Sequence, residues 1–200
     1  MQRIAILVFI LCVVHANAIY VSTSLGDSRL QDDNQIYKPG GIFHVSLEAG
    51  FFDEPENAFD YKLAFGIDRF GYSHSDGEVS VSFWEVYFKP VVLSATNTKY
   101  NIMLEFAPYV GWLIAANNLT EKIDSVVFAT RDIEKRHILG YEYRLGYQIN
   151  KAFLVSITAN YHLISPYGFS INHYDYERHH IPQAPLMGGW GLNFQYNLPW

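Results

Sequence analysis

The chain has 200 residues, enough for one domain and too few for two comfortable ones, and its formal net charge is -6. An acidic balance argues against a nucleic-acid partner, whose phosphates require Lys and Arg. The only cysteine is Cys12, so there is no disulfide framework, and no later window nears 18 continuous apolar residues, which excludes a membrane-spanning helix. Yet half of the chain is hydrophobic and 16% is aromatic, with 15 Tyr and 14 Phe. Such a composition suits a chain that presents rings to an interface.

The first 18 residues, MQRIAILVFILCVVHANA, read as a secretory signal peptide. Arg3 forms a positive start, Ile4 to Val14 an apolar stretch, and Ala16-Asn17-Ala18 a small-x-small cleavage pattern. Leu11 before Cys12 is not the small residue that a lipoprotein signal carries there. Cleavage after Ala18 would leave a domain spanning 19–200, without Cys12 and without the charge of Arg3.

Alternation with a period of two then recurs to the end. In LGYEYRLGYQI (139–149) the apolar set is Leu139, Tyr141, Tyr143, Leu145, Tyr147 and Ile149, and Gly140, Glu142, Arg144, Gly146 and Gln148 lie between. Strict alternation of that length marks a strand with one apolar and one polar face. The same pattern predicts eight strands, near 19–26, 42–52, 58–72, 79–93, 98–115, 136–149, 152–165 and 188–198. The first is the weakest. In 79–93 the apolar set changes phase near Phe83-Trp84, where a bulge is expected. Many strands reach the 9–11 residues that a tilted crossing of a bilayer needs.

Connections alternate in length as well. Those at 53–57, 94–97 and 150–151 are short, and those at 27–41, 73–78, 116–135 and 166–187 are longer. Outer-membrane barrels have short periplasmic turns and long outer loops. The expected fold is therefore all-β, an eight-stranded antiparallel transmembrane up-and-down barrel of outer-membrane type, with both termini on the periplasmic side. Its narrow lumen would be filled by side chains. Candidate lumen acids Glu48, Asp68, Glu85, Glu105 and Glu142 share the polar phase with Lys62, Lys89 and Arg144, with which they are expected to pair. Trp84, Trp112, Trp190 and Phe194 belong to the apolar phase of strands and suit a membrane girdle, where a ring is apolar and its tip meets water. Trp200 ends the chain on an aromatic.

Three stretches carry a family resemblance: FWEVYFKPVVL (83–93), FAPYVGWLIA (106–115), with a Pro-Tyr-Val-Gly core, and LGYEYRLGYQINKAFLVSITANYHLISP (139–166). With the terminal GLNFQYNL (191–198), they resemble the small outer-membrane barrel family common in Bacteroidetes-type bacteria. That is the PorT-like group, similar in architecture to the eight-stranded OmpA transmembrane domain. The resemblance covers essentially all of 19–200 and departs at Trp112, where Gly or Ala is common, and at Pro199-Trp200. It implies residence in the bacterial outer membrane, contact with outer-membrane lipid, and reading of the C-terminal strand by the barrel-assembly machinery. It also implies a non-enzymatic role, with the outer loops or a secretion machine as the meeting point for partners. No cofactor is expected.

Other readings attach to particular residues. His173, Asp175, Glu177, His179 and His180 in the last long connection offer metal-type side chains, but without helical H-E-x-x-H spacing they read as a polar outer loop. His162 and Ser165 invite comparison with outer-membrane lipid hydrolases, although no acid on that strand orients the base. A soluble lipocalin-like barrel would carry the same alternation with its apolar face turned inward. Alternation alone does not say which face is buried.

Overall fold

The computed structural model describes residues 18–32, 35–36, 43–52, 59–73, 79–116, 119–123, 126–131, 136–164 and 186–198. Eleven strands run through them: β1 Ala18–Asp32, β2 Gln35–Ile36, β3 Phe43–Phe52, β4 Phe59–Ser73, β5 Val79–Asn97, β6 Ile102–Ala116, β7 Leu119–Ile123, β8 Val126–Arg131, β9 His137–Gln148, β10 Phe153–His162 and β11 Leu186–Leu198. Eight of these form a closed antiparallel barrel in the order β1-β3-β4-β5-β6-β9-β10-β11. The first and last strands zip together from Ile19↔Leu198 to Gln31↔Leu186. Closure leaves the wall without an open edge, the condition for a strand sheet to sit in hydrocarbon.

Asparagine side chains shape two of the short connections. Asn97 Oδ1 accepts from the backbone N–H of Lys99 (3.1 Å) and Tyr100 (3.2 Å), and Asn101 takes a left-handed φ of 55°. Asn150 Oδ1 accepts from Ala152 (2.8 Å) and Phe153 (2.9 Å) in the same manner. Both turns lie at the same end as Ala18 and Leu198.

Differences from the sequence reading have identifiable causes. β1 continues through Asp32, paired to β11 along its length, where polar residues suggested a loop. The connection after β6 contains a hairpin of its own, β7–β8, that extends from the upper end of β5. In β5 the phase does not change at Phe83-Trp84. Phe83 is an apolar residue that points inward with Glu85, Tyr87 and Lys89, while Trp84 points out. Two successive residues, Pro90 and Val91, separate the inward Lys89 from the inward Val92, and the pairing register to both neighbours shifts beside them. Proline has no N–H for the ladder, so the bulge falls there. A second irregularity beside Trp84 belongs to β6, where Ile114 is the extra residue between Leu113 and Ala115.

The faces are inverted relative to a soluble barrel. Leu104, Leu145 and Ile157 are 54%, 55% and 56% exposed on the outer wall, whereas Glu48, Glu85, Glu105, Lys89 and Arg144 are each at most 2% exposed inside. Apolar side chains out and charges in is the arrangement that a lipocalin-like barrel does not have and a membrane barrel does. Among the described residues no helix is long and apolar enough to cross a membrane; any crossing here is by strands.

Inside, three tyrosines lie over glycines on the next strand: Tyr20 on Gly50, Tyr87 on Gly66 and Tyr109 on Gly140, each a direct cross-strand pair. A Cβ at any of these glycines would fall within the ring above it. At the closing seam Gly26 faces Gly191. There a Cβ on Gly26 would collide with the Trp190 carbonyl and the Gly191 backbone, which rotation cannot relieve. Gly26→Val is therefore expected to cost roughly 1–3 kcal/mol of folding free energy, the usual penalty for overpacking. A urea titration of the refolded barrel measures it; an unchanged midpoint would show that the seam opens freely.

Candidate functional site: a charged plug beneath an aromatic cap

The polar phases of the eight strands converge on the lumen and fill it in two tiers. In the lower tier Glu48 of β3 sits at the centre, with three hydrogen-bond donors and the Arg144 guanidinium around it. Tyr20 Oη donates to Oε1 at 2.8 Å, Tyr87 Oη to Oε2 at 3.0 Å, Arg144 Nη2 approaches Oε1 at 2.9 Å, and the Lys89 ammonium donates to Oε2. Arg144 of β9 also reaches Glu142 through Nε at 2.6 Å and Glu105 through Nη1 at 3.7 Å. Lys89 bridges on to Glu142 at 2.7 Å, and Lys62 pairs with Glu105. Three carboxylates thus meet three cations. Burying such charges is tolerable only when they are matched, because desolvation costs several kcal/mol per ion. The rings of Tyr20 and Tyr87 lie beside the ammonium groups, with Lys62 Nζ 5.6 Å and Lys89 Nζ 5.0 Å from their centroids.

Asp68 and Glu85 do not join this plug. They stand in the upper tier and face histidines, not Lys or Arg. His44 Nε2 lies 2.7 Å and 2.8 Å from the two carboxylate oxygens of Asp68, with Asn160 Nδ2 3.2 Å away. Glu85 has His162 Nε2 at 3.6 Å, and among the described residues neither of its oxygens has a hydrogen bond. Above them an aromatic cap closes the chamber. Phe70 stacks on His44 (4.8 Å) and on Phe83 (5.3 Å), and meets His162 edge-on at 4.7 Å. Leu113 and Ile138 complete the apolar layer. His162 thus lies inside the barrel, between Glu85 and the cap, and not at its rim.

His44, Tyr20, Tyr87, Tyr109, Phe70 and Phe83 are the site residues that sequence reasoning passed over. The available signal was their phase, since each falls among the polar, inward positions of its strand. Among the described residues no group of three or more His, Cys, Asp or Glu is placed to hold a metal ion. Ser165, His173, His179 and His180 lie outside the described residues, as do Trp200 and residues 1–17.

On the outer wall Trp84, Trp112 and Trp190 stand toward the end that carries the longer connections, 38%, 47% and 48% exposed, with the Tyr141–Tyr161 stack among them. Phe194 sits lower, midway along β11, with its outward neighbours Thr23 and Val155. At the opposite end Phe153 packs on Tyr196 at 4.8 Å.

These features define a class: an outer-membrane-type eight-stranded barrel with an apolar wall and a lumen filled by ion pairs and rings. The Neisserial surface protein A, from Neisseria, has the same fold, with a TM-score of 0.55 and 8% identity over 89% of this chain and 96% of that one. Ail, the attachment invasion locus protein of Yersinia pestis, aligns at a TM-score of 0.49 and 13% identity over 92% and 99% of the two chains. The N-terminal barrel domain of OprF from Pseudomonas aeruginosa gives 0.41 and 10% over 90% and 98%. At 8% identity the likeness to the Neisserial protein is one of fold alone. No protein-family model matches the chain, and no curated protein matches it.

Proposed function

We propose that the protein is a small, non-enzymatic integral barrel of the bacterial outer membrane. In this reading the lumen is a structural plug, and the longer connections at one end serve as the surface that meets partners outside the cell. The observation that carries this reading is the inversion of faces, with Glu48 and Arg144 sealed inside while Leu145 and Ile157 face out. Only hydrocarbon makes that arrangement favourable, because the same wall in water would expose a continuous apolar surface. The last described strand, β11, is the segment offered to the barrel-assembly machinery, and residues 1–18 are the export signal. Cell fractionation followed by gel migration with and without heating tests the reading. A membrane-fraction protein that shifts on heating is expected; recovery in the aqueous fraction without detergent would defeat it.

A second reading places the barrel in a secretion or surface-assembly machine, as the PorT-like resemblance implies.

A further inference from the structure

The outer wall is not uniformly convex. Across β3, β4, β5 and β6 it carries an apolar groove of about 850 Å³. Its wall is made of two cross-strand rows, Ala49-Phe65-Phe88-Val110 below and Leu47-Ile67-Val86-Trp112 above. Ala49 is the smallest of these side chains and leaves the depression open, while the stacked rings of Phe65 and Phe88, 4.8 Å apart, give it a rigid side. Directly above Ile67 and Val86, the next outward pair is Arg69 and Trp84. The guanidinium lies on the indole, Cζ 5.6 Å from the ring centroid, and Arg69 is exposed on the lipid-facing side of the wall. Among the described residues no carboxylate pairs with it.

An arginine on the outer face of a membrane barrel is costly unless an anion meets it at the interface. Stacking on Trp84 uses the flat face of the guanidinium and leaves its N–H edges free, the geometry that binds phosphate in forked fashion. From Arg69 to Phe65 is four residues, roughly 13 Å along the strand, so the cation and the groove are within the reach of one amphiphile. We infer that this face is a lipid-binding site: an acyl chain lies in the groove, and a phosphate of the same molecule is held by Arg69 against Trp84. The pair stands at the end with the longer connections. In the membrane proposed above, on which this inference rests, that end faces the outer leaflet, built from phosphorylated, multiply acylated glycolipid. Diphosphoryl lipid A is accordingly the occupant.

The test uses the refolded full barrel in a zwitterionic detergent, restricted to protein that shows the heat shift. Native mass spectrometry with added diphosphoryl lipid A is expected to show one retained molecule per barrel. Arg69→Gln and the groove-filling Ala49→Trp should each weaken retention at least about tenfold, as the loss of a forked charged pair or of its chain seat requires. Lys99→Gln, at the opposite end, should leave it unchanged. Dephosphorylated lipid A on the unsubstituted protein gives the same information without any substitution, and should be retained equally poorly. Equal retention of both forms, equal retention by Arg69→Gln, or equal retention of phosphatidylglycerol would overturn the assignment. Absence of the heat shift in the unsubstituted protein would instead remove the membrane reading, and this site with it.

Discussion

Replacing Arg144 by methionine is expected to lower the free energy of unfolding by roughly 3–5 kcal/mol, the cost of leaving a buried charge without its partner. Among the described residues, Arg144 is the only side chain that touches all three carboxylates of the plug, Glu48, Glu105 and Glu142. Without it, Lys62 and Lys89 face three acids in a space closed to water, and one negative charge has nothing to balance it. Methionine keeps much of the volume, so the loss is electrostatic and not a cavity. Urea unfolding in vesicles, followed by tryptophan fluorescence, reads the change. Adding Glu142→Gln to Arg144→Met restores the charge balance and should recover a substantial part of the loss, since Lys89 still serves Glu48. If the single variant unfolded at the wild-type midpoint, or the double variant were worse than the single, the plug would not be a charge-matched unit.

Ile157→Arg should be nearly as harmful for the opposite reason. Ile157 stands midway along β10, between Leu145 and Leu192 on the neighbouring strands, and is 56% exposed. An arginine near the bilayer midplane of a barrel wall costs roughly 2–4 kcal/mol, and the nearest exit for its head group is half a strand away. Insertion yield into vesicles and the unfolding midpoint should both fall. A water-soluble barrel would make the reverse prediction, because a charge on that face would improve its solubility. The two readings therefore part on one substitution, and wild-type insertion with normal stability would argue that the wall does not meet lipid.

Much of this fold is legible in the sequence because the strand period is two and the barrel obeys it. The run from Leu139 to Ile149 sorts itself into wall and lumen residues without any knowledge of its neighbours, and β9 has those faces. The tight turn at Asn150-Lys151 and the order of the eight barrel strands follow from the same alternation, whereas β5 runs on through 94–97 and its turn falls at 98–101. What is not legible depends on contacts between strands that are distant in sequence. Whether Glu105 meets Lys62 or Lys89 is decided by the stagger of the barrel, which sets the residues that share a height across the lumen. Likewise nothing in the neighbourhood of Asp68 marks His44 as its partner, since they lie on adjacent strands whose register is settled only on pairing. Phe83 misleads for a simpler reason. An apolar side chain in the inward phase looks like a change of phase, whereas it belongs to a cap that covers Glu85 and His162. The groove beside Arg69 arises from four strands at once and leaves no trace in any one of them.

The three tyrosine–glycine pairs have a consequence for how the barrel assembles. A strand that slips by two residues keeps its inward and outward faces, so hydrophobic patterning cannot reject the error. Such a slip would set Tyr20 against Glu48 or Phe52, Tyr87 against Ala64 or Asp68, and Tyr109 against Ile138 or Glu142. None of these leaves room for a ring where the glycine does. The pairs sit on three separate strand junctions, β1–β3, β4–β5 and β6–β9, so each checks a different part of the wall. They act as keys cut for single positions, and a misregistered intermediate meets a steric refusal before its charges are ever buried.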